Sequence, residues 1–528
     1  MAERVYLYDT TLRDGGQTAG VDFGIADKVA LVGELDTLGV DYIEAGWPGA
    51  NPTDDAIFAE SWALDHARLT AFGMTRRPGR SADNDPGLAA VLNAGADAVC
   101  LVGKAWDFQV AAVLGVELDE NLAMIRDSVA FAAGRAPEVL FDAEHFFDGF
   151  KDNETYTMAC LEAAHDAGAR WLVLCDTNGG TLPDEIEDIV GRVAARLPGE
   201  KLAIHCHNDS ECAVAGSLAA VRAGARQVQG TLNGLGERCG NANLVSVIPN
   251  LMLKMGFETG IDEAGLKRLT PIARLLDERI NRVHDAAQPF VGESAFAHKG
   301  GLHVSAVAKD PKTYEHIAPE AVGNARAIVV SDQAGRANIL ARFAELGIEI
   351  DPDSRAVARI VERIKDQASK GYSYDGADAS FELLARRQLG VVPDYFTLTS
   401  FRVIDERRHE GGAVVTLSEA TMKVEVGGEM IMTVAEGNGP VDALANGLHK
   451  ALASVYGELE NMRLVDYKVR ILTPEAGTGA MVRVMIESAD RSGRRWTTVG
   501  VSSNVIAASY EALHDAITYR LHSAGARP

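Results

Sequence analysis

The sequence predicts a (β/α)8 TIM barrel, then helical linker subdomains, then a C-terminal α+β tandem-repeat domain. Three observations support this prediction. Strand-like and helical segments alternate eight times in residues 1–260, helical patterns dominate residues 261–393, and a β-β-β-α order occurs twice in residues 394–528. We therefore expect a barrel, a helical linker region and an α+β repeat domain with these boundaries.

The eight strand-like segments of the barrel region alternate with helical segments, and parallel strands require such crossover connections. Several are apolar throughout, as is typical of strands covered on both faces. Eight units in succession favour a closed barrel over an open sheet. An open sheet that binds a dinucleotide would usually have G-x-G-x-x-G after its first strand, whereas this sequence has DTTLRDGGQ there. The segments begin at Val5, Tyr42, Leu69, Ala98, Val139, Trp171, Lys201 and Val228.

The last 135 or so residues alternate in hydrophobicity and contain a repeat. Strand-like FRVIDERR, AVVTLSEATMKVEV and MIMTVAEG precede the helical DALANGLHKALASVYG. The same order returns with LVDYKVRIL, MVRVMIES and RWTTVGVSS before AASYEALHDAITYRLHS. Two β-β-β-α units in tandem predict a pseudo-symmetric α+β domain.

Charge and cysteine usage limit the classes of function. A net charge of −24 argues against nucleic acid or an anionic membrane as the main partner, because phosphate binding needs clustered Lys and Arg. We find no secretory signal at the start and no apolar stretch near the roughly 20 residues that span a bilayer. None of the six cysteines forms C-x-x-C, and several lie in apolar strand-like runs, which indicates buried reduced thiols and a cytoplasmic location.

Polar residues gather where the predicted strands end, which is where TIM barrels carry their function. His205 and His207 are two apart on a strand and should face the barrel mouth together. Asp14 follows strand one, which barrel closure brings near strand seven, and Asn241 follows strand eight. Two imidazoles, a carboxylate and an amide oxygen suit a divalent metal such as Mg²⁺, Mn²⁺ or Zn²⁺. For H-x-H alone, a hydrogen-bonded structural pair is the better interpretation; Asp14 and the strand-end placement favour the metal.

Three further residues are candidates for substrate chemistry. Arg13, beside Asp14, can polarise a carbonyl and stabilise an oxyanion, although a structural Arg–carboxylate pair is also common. Glu144 ends strand five in a partly apolar segment and suits proton transfer, with a supporting role as the alternative. Thr177 can donate a hydrogen bond to a substrate carboxylate.

Three motifs, DTTLRDGGQ at 9–17, HCHND at 205–209 and GLGERCGNANL at 234–244, resemble those of the Claisen-condensing acyl-CoA synthases. The resemblance covers the whole chain. It implies that Asp14, His205, His207 and Asn241 bind the metal, that Arg13 polarises the carbonyl, and that Thr177 binds substrate. It also implies acid–base work for Glu144, and acetyl-CoA activation by His303 and Tyr314 in the linker region.

The resemblance further implies condensation of acetyl-CoA with a 2-oxo acid. The segments IEAGWPG at 43–49 and DAEHFFDG at 142–149 are similar to the citramalate-forming branch, so we expect pyruvate as acceptor, (R)-citramalate as product and isoleucine biosynthesis as the pathway. The alternative is 2-isopropylmalate formation from 2-oxoisovalerate. An acyl-CoA lyase, or an amino-acid-sensing protein with a decayed barrel, is less favoured. Gly16 departs from the family, which often has Glu there, and the exchange alters charge and space beside the metal.

For the repeat domain the resemblance implies dimerisation and binding of a branched-chain amino acid, so we expect a homodimer with isoleucine as effector. The turns at 437–440 and 502–504 precede the two equivalent helices. Their helix N-termini could receive an amino-acid carboxylate, or the turns could be ordinary helix caps.

Overall fold

The computed structural model describes residues 3–329, 335–410 and 413–528, which form two compact units. The first unit contains the chain up to Phe296 together with His316–Arg326. The second contains Ala297–Glu315 and the chain from Ala327 onward. None of the helices in the described ranges is long and apolar enough to cross a membrane.

The first unit is built on a closed barrel of eight parallel strands, which confirms the predicted fold class. Each strand pairs with the next, and β1 closes the barrel by pairing with β8 from Tyr6↔Gln227 to Asp9↔Gly230. The strands are β1 (Tyr6–Asp9), β2 (Tyr42–Gly46), β3 (Arg68–Met74), β4 (Ala98–Lys104), β5 (Val139–Glu144), β6 (Trp171–Asp176), β7 (Leu202–Cys206) and β8 (Gln227–Gly230).

Helices cover the outside of this barrel, and local signals in the sequence set their ends. Helix α1 ends where Gly39 adopts φ 99°, a left-handed conformation that glycine reaches without steric cost. The Asp85 side chain caps α3 by accepting hydrogen bonds from Gly87 N and Leu88 N. The helices are α1 (Ile25–Leu38), α2 (Pro52–Ala59), α3 (Pro86–Leu92), α4 (Asp107–Gln109), α5 (Leu118–Ala133), α6 (Phe146–Asp166), α7 (Pro183–Ala194), α8 (Ala213–Arg222), α9 (Leu244–Pro249), α10 (Glu263–Leu266) and α11 (Leu269–Arg279).

Alternation along the strands separates two layers of core. Tyr8, Tyr42 and Trp171 belong to a cluster that fills the barrel interior. Their neighbours, such as Leu7 and Ile43, belong to the larger cluster between strands and helices. Inward-facing positions near the carboxyl ends of the strands are polar, and this layer forms the candidate site.

The second unit contains short linker helices and the predicted tandem repeat, which is present. Two antiparallel sheets with strand orders β11-β12-β13 and β14-β15-β16 are each followed by one helix. The elements are β9 (Ala297–His298), α12 (Gly301–Val307), β10 (Ala327–Ile328), α13 (Arg336–Glu345), α14 (Arg355–Ser369), α15 (Asp378–Gln388), β11 (Thr397–Glu410), β12 (Ala413–Val426), β13 (Glu429–Gly437), α16 (Pro440–Leu452), β14 (Arg463–Ile471), β15 (Val482–Ala489), β16 (Arg495–Ser502) and α17 (Val505–Ser523).

The linker helices share a hydrophobic core with the second repeat. Ile360 of α14 and Phe381 of α15 are buried in one cluster with Val499 and Val501 of β16. Packing therefore continues across residue 393, where the sequence changes character. The division of the chain into three domains stays a prediction.

The cysteines depart in part from the expectation of burial. All six are free thiols; Cys212 is half-buried and Cys239 is exposed. The other four are buried, as predicted: Cys100, Cys160, Cys175 and Cys206.

Candidate active site

A cavity of about 340 Å³ opens at the carboxyl ends of the barrel strands. Its lining includes the inward-facing residues that end the strands, together with residues of the loop after β1. The predicted site residues that line it are Arg13, Asp14, Glu144, Thr177, His205 and His207. The barrel thus brings together six side chains that lie up to 194 positions apart in the sequence (207 − 13 = 194).

Asp14, His205 and His207 place three potential metal-ligand atoms within 4.8 Å of one another. Asp14 Oδ2 lies 3.3 Å from His205 Nε2 and 3.8 Å from His207 Nε2, and the two Nε2 atoms are 3.3 Å apart. Two atoms bound to one ion at about 2.1 Å are about 3.0–3.4 Å apart for angles of about 90–110° at the ion. The three side chains therefore have the spacing of ligands that share one divalent cation.

The backbone aims both histidines at this point. β7 ends at Cys206, so His207 lies one residue beyond the strand on which we predicted it. An isolated bridge between His207 and Asn241 keeps the chain extended there. His205 and His207 consequently keep the two-residue repeat of a strand, and Cys206 packs into the core between strands and helices.

The charges of the cluster favour the metal-binding protonation state at Asp14 and His207, but not at His205. Burial alone raises the pKa of Asp14, but Arg13 and the two histidines hold it well below its usual range. Burial and the neighbouring His205 lower the pKa of His207 to about 4. Burial also lowers the pKa of His205, but its contact with Asp14 raises it overall. An ionised carboxylate and a neutral imidazole are the forms a cation requires.

Asn241 completes the cluster. Its Nδ2 donates to Asp14 Oδ2 over 2.8 Å and lies 3.4 Å from His205 Nε2. Its Oδ1 is buried and has no hydrogen-bond partner among the described residues. A half-turn of the amide would place the oxygen where the nitrogen lies, at ligand spacing from Asp14 and His205. Carboxylate, imidazole and amide oxygen together fit a divalent ion.

Arg13 is held beside the cluster by two contacts that the sequence did not reveal. Its Nε donates to Glu44 over 2.6 Å, and its guanidinium lies 3.9 Å from the centre of the Phe72 ring. Its Nη1 is 3.6 Å from Asp14 Oδ1. Glu44, fully buried on β2, also accepts hydrogen bonds from Tyr8 and Thr10. The guanidinium is therefore fixed in place while part of it faces the cavity.

Glu144 and Thr177 line the opposite part of the cavity. Glu144 forms an ion pair with Lys104, a cationic side chain of the cavity that sequence reasoning missed. Lys104 is the last residue of β4 and lies two residues after Val102, which also lines the cavity. Residues two apart on a strand face the same side, so strand alternation could have revealed Lys104. Thr177 Oγ1 accepts a hydrogen bond from His145 N, which leaves its proton available to a ligand.

His303 and Tyr314 belong to the second unit, where their rings stack with centroids 4.0 Å apart. His303 lies on α12 and is exposed, and Tyr314 is about half exposed. The two residues that the family resemblance linked to acetyl-CoA activation are thus in direct contact with each other.

Gly16 lies in a short 3-10 turn directly after Asp14. A Cβ atom there would meet the Phe23 ring at 3.6 Å, an ordinary van der Waals contact. Packing therefore does not require glycine at this position.

Three protein-family models match successive parts of the chain. The model described as HMGL-like matches residues 4–275, just over half of the 528 residues. Models described as the homocitrate synthase post-HMGL domain-like region and the LeuA allosteric (dimerisation) domain match residues 290–372 and 375–521. The barrel and its cavity are those of an HMGL-like enzyme.

Full-length relatives define the family more closely. The (R)-citramalate synthase of Aquifex aeolicus is 51% identical over 99% of this chain and 98% of its own length. That of Geobacter sulfurreducens is 50% identical over 98% of both. A 2-isopropylmalate synthase of Methylorubrum populi is 32% identical over 99% of this chain and 96% of its own. The chain belongs to the family of (R)-citramalate synthases, which confirms the predicted resemblance.

Proposed function

We propose that the enzyme condenses acetyl-CoA with pyruvate to give (R)-citramalate and free CoA in the barrel cavity. The observation that carries the proposal is the convergence of Asp14, His205 and His207 beside Arg13 in this cavity. Relatives at 50–51% identity that are named (R)-citramalate synthases support pyruvate as the acceptor.

The proposed metal ligands are Asp14, His205, His207 and Asn241. When bound there, a divalent ion (Mg²⁺, Mn²⁺ or Zn²⁺) would supply a Lewis acid for the keto group and carboxylate of pyruvate. A ligand set of nitrogen and oxygen donors is compatible with each of these ions, so a metal analysis of the protein has to identify the ion.

Arg13 and Thr177 orient pyruvate and stabilise developing charge. Arg13 Nε donates a hydrogen bond to Glu44. The other N–H groups of Arg13 can donate to the alkoxide that forms from the keto oxygen. The Thr177 hydroxyl, whose oxygen already accepts from His145 N, donates to the pyruvate carboxylate. Fixed donors of this kind need no reorganisation during the reaction.

Glu144 and His303 are the two candidate bases, and Tyr314 supports His303. The base takes a proton from the acetyl methyl group, and the resulting carbanion forms the new bond to the keto carbon of pyruvate. The alkoxide then takes up a proton. Water cleaves the carbon–sulfur bond of the thioester, which leaves the carboxylate of citramalate and the thiol of CoA.

The match of residues 375–521 to the LeuA allosteric (dimerisation) model supports a homodimer with an effector, and we propose isoleucine as that effector. We place the enzyme in the cytoplasm and on the route to isoleucine. The two turns considered as effector sites already have acceptors for their N–H groups: Asp442 accepts from Asn438 N, and Asn504 accepts from Ile506 N and Ala507 N. An incoming carboxylate would have to displace these side chains.

The test is a panel of 2-oxo acids with acetyl-CoA, in which released CoA is detected with a thiol reagent and the product is identified chromatographically. We expect fastest turnover with pyruvate, (R)-citramalate as product, and inhibition by isoleucine. Preference for 2-oxoisovalerate would favour 2-isopropylmalate synthesis. Absence of CoA release with every acid in metal-supplemented protein would refute the proposal.

A further inference from the structure

We propose that Gln229 is a positioning residue that sets the tautomer of His205, and that Asp142 sets the direction of the Gln229 amide. The inference rests on the metal centre proposed above and extends it to a three-residue chain across the barrel interior. None of the sequence motifs points to Gln229, because its role depends on the contact of β8 with β7.

Gln229 lies on β8 directly opposite His205 in the strand register. It is 1% exposed, and its Oε1 is 3.0 Å from His205 Nδ1. An amide oxygen can only accept a hydrogen bond, so this contact requires the proton of neutral His205 to be on Nδ1. The lone pair is then on Nε2, the atom that faces Asp14 and His207. This is the tautomer that binds a cation.

The opposite orientation of the Gln229 amide would reverse this assignment. Its NH2 group would then donate to Nδ1 and leave the proton on Nε2, in the middle of the proposed metal centre. Asp142 favours the productive orientation. Its side chain is buried on β5, and Asp142 Oδ1 is 3.5 Å from Gln229 Nε2. Because a carboxylate oxygen accepts and does not donate, the NH2 group faces Asp142 and the amide oxygen faces His205.

The same strand provides a matched comparison. Gln227 is two residues before Gln229, faces the same side of β8 and is also completely buried. Its amide oxygen and nitrogen have no hydrogen-bond partner among the described residues. A substitution at Gln227 therefore changes a buried amide of the barrel interior without touching a proposed ligand.

The experiment measures the dissociation constant for Mn²⁺ or Zn²⁺ by chelator competition, together with the thermal midpoint of the metal-free full-length protein. Gln229→Met keeps the length of the side chain but removes the acceptor. We expect it to weaken metal binding by about 10- to 100-fold. Gln227→Met should leave the dissociation constant at the wild-type value.

Asp142→Asn should weaken binding less than Gln229→Met, because Asn can face Gln229 with either its oxygen or its nitrogen. It carries the test alone if Gln229→Met does not fold. Wild-type affinity in both variants would overturn the positioning role, and so would an equal loss in Gln227→Met. Failure of the wild-type protein to bind either ion would instead refute the metal centre itself, and the inference with it.

Discussion

Replacing Arg13 by Lys removes the group that we propose stabilises the alkoxide while keeping a positive charge. The structure gives the guanidinium two tasks, since Nε donates to Glu44 over 2.6 Å while other N–H groups face the cavity. An ammonium is a compact point charge and cannot perform both tasks from one position. Loss of one donor to a developing oxyanion costs about 2.7–4 kcal/mol, so kcat should fall about 10²- to 10³-fold.

The assay is steady-state CoA release with pyruvate, alongside the metal dissociation constant, which should not change. Arg192→Lys is the matched control. Like Arg13, Arg192 pairs with a glutamate and lies over a phenylalanine ring, 4.9 Å from its centre. Unlike Arg13, it is half exposed, on the outer helix α7. This control should retain wild-type turnover. A decrease in kcat of less than about tenfold in Arg13→Lys, or about 1.4 kcal/mol, would refute the proposed role.

Three further predictions concern the metal, the core and the pH dependence of stability. His207→Ala should abolish CoA release, and divalent metal should raise the melting temperature of the wild type but not of this variant; retained turnover in metal-buffered assays would contradict the mechanism. Phe381→Ala, in the core shared by linker helices and second repeat, should cost about 3–5 kcal/mol in denaturant unfolding; a loss below about 1 kcal/mol would contradict the packing. Burial raises the pKa of Asp515, but the neighbouring His514 and hydrogen bonds from Arg387 and Ser380 lower it overall. A lowered pKa contributes stability above about pH 4, and this is lost as pH falls, so unfolding of Asp515→Asn should depend less on pH in the acid range; an unchanged acid slope would exclude the contribution.

The barrel was predictable from the sequence because its signals are local. Strand-like runs of six to nine residues alternate with helical patterns, and each predicted run contains an observed strand or most of one. The convergence of Asp14, His205 and His207 was also predictable. The two-residue repeat of a strand puts both histidines on one face, and closure of the barrel brings the loop after β1 near β7.

The supporting contacts were not predictable because they join residues distant in sequence through the strand register. Glu44 could be placed on β2, but not as the partner that orients Arg13. Gln229 faces the interior at the same strand phase as the predicted site residues, yet a single Gln on a strand carries no motif. The core shared by α14, α15 and β16 is likewise a long-range contact, so a change in sequence character at residue 394 could not reveal it.

The unpaired atoms of the cluster explain why a metal belongs there. Asn241 Oδ1 is buried without a hydrogen-bond partner among the described residues, and an unsatisfied buried polar group costs about 1–3 kcal/mol. Two imidazole Nε2 atoms 3.3 Å apart also direct lone pairs at one another unless a proton or a cation lies between them. A proton can join only two of the converging atoms, whereas a divalent cation can bind both nitrogens, the Asp14 carboxylate and a turned Asn241 oxygen. The folded barrel thus maintains an arrangement that a divalent cation satisfies better than a proton does, and binding should stabilise the protein as well as activate it.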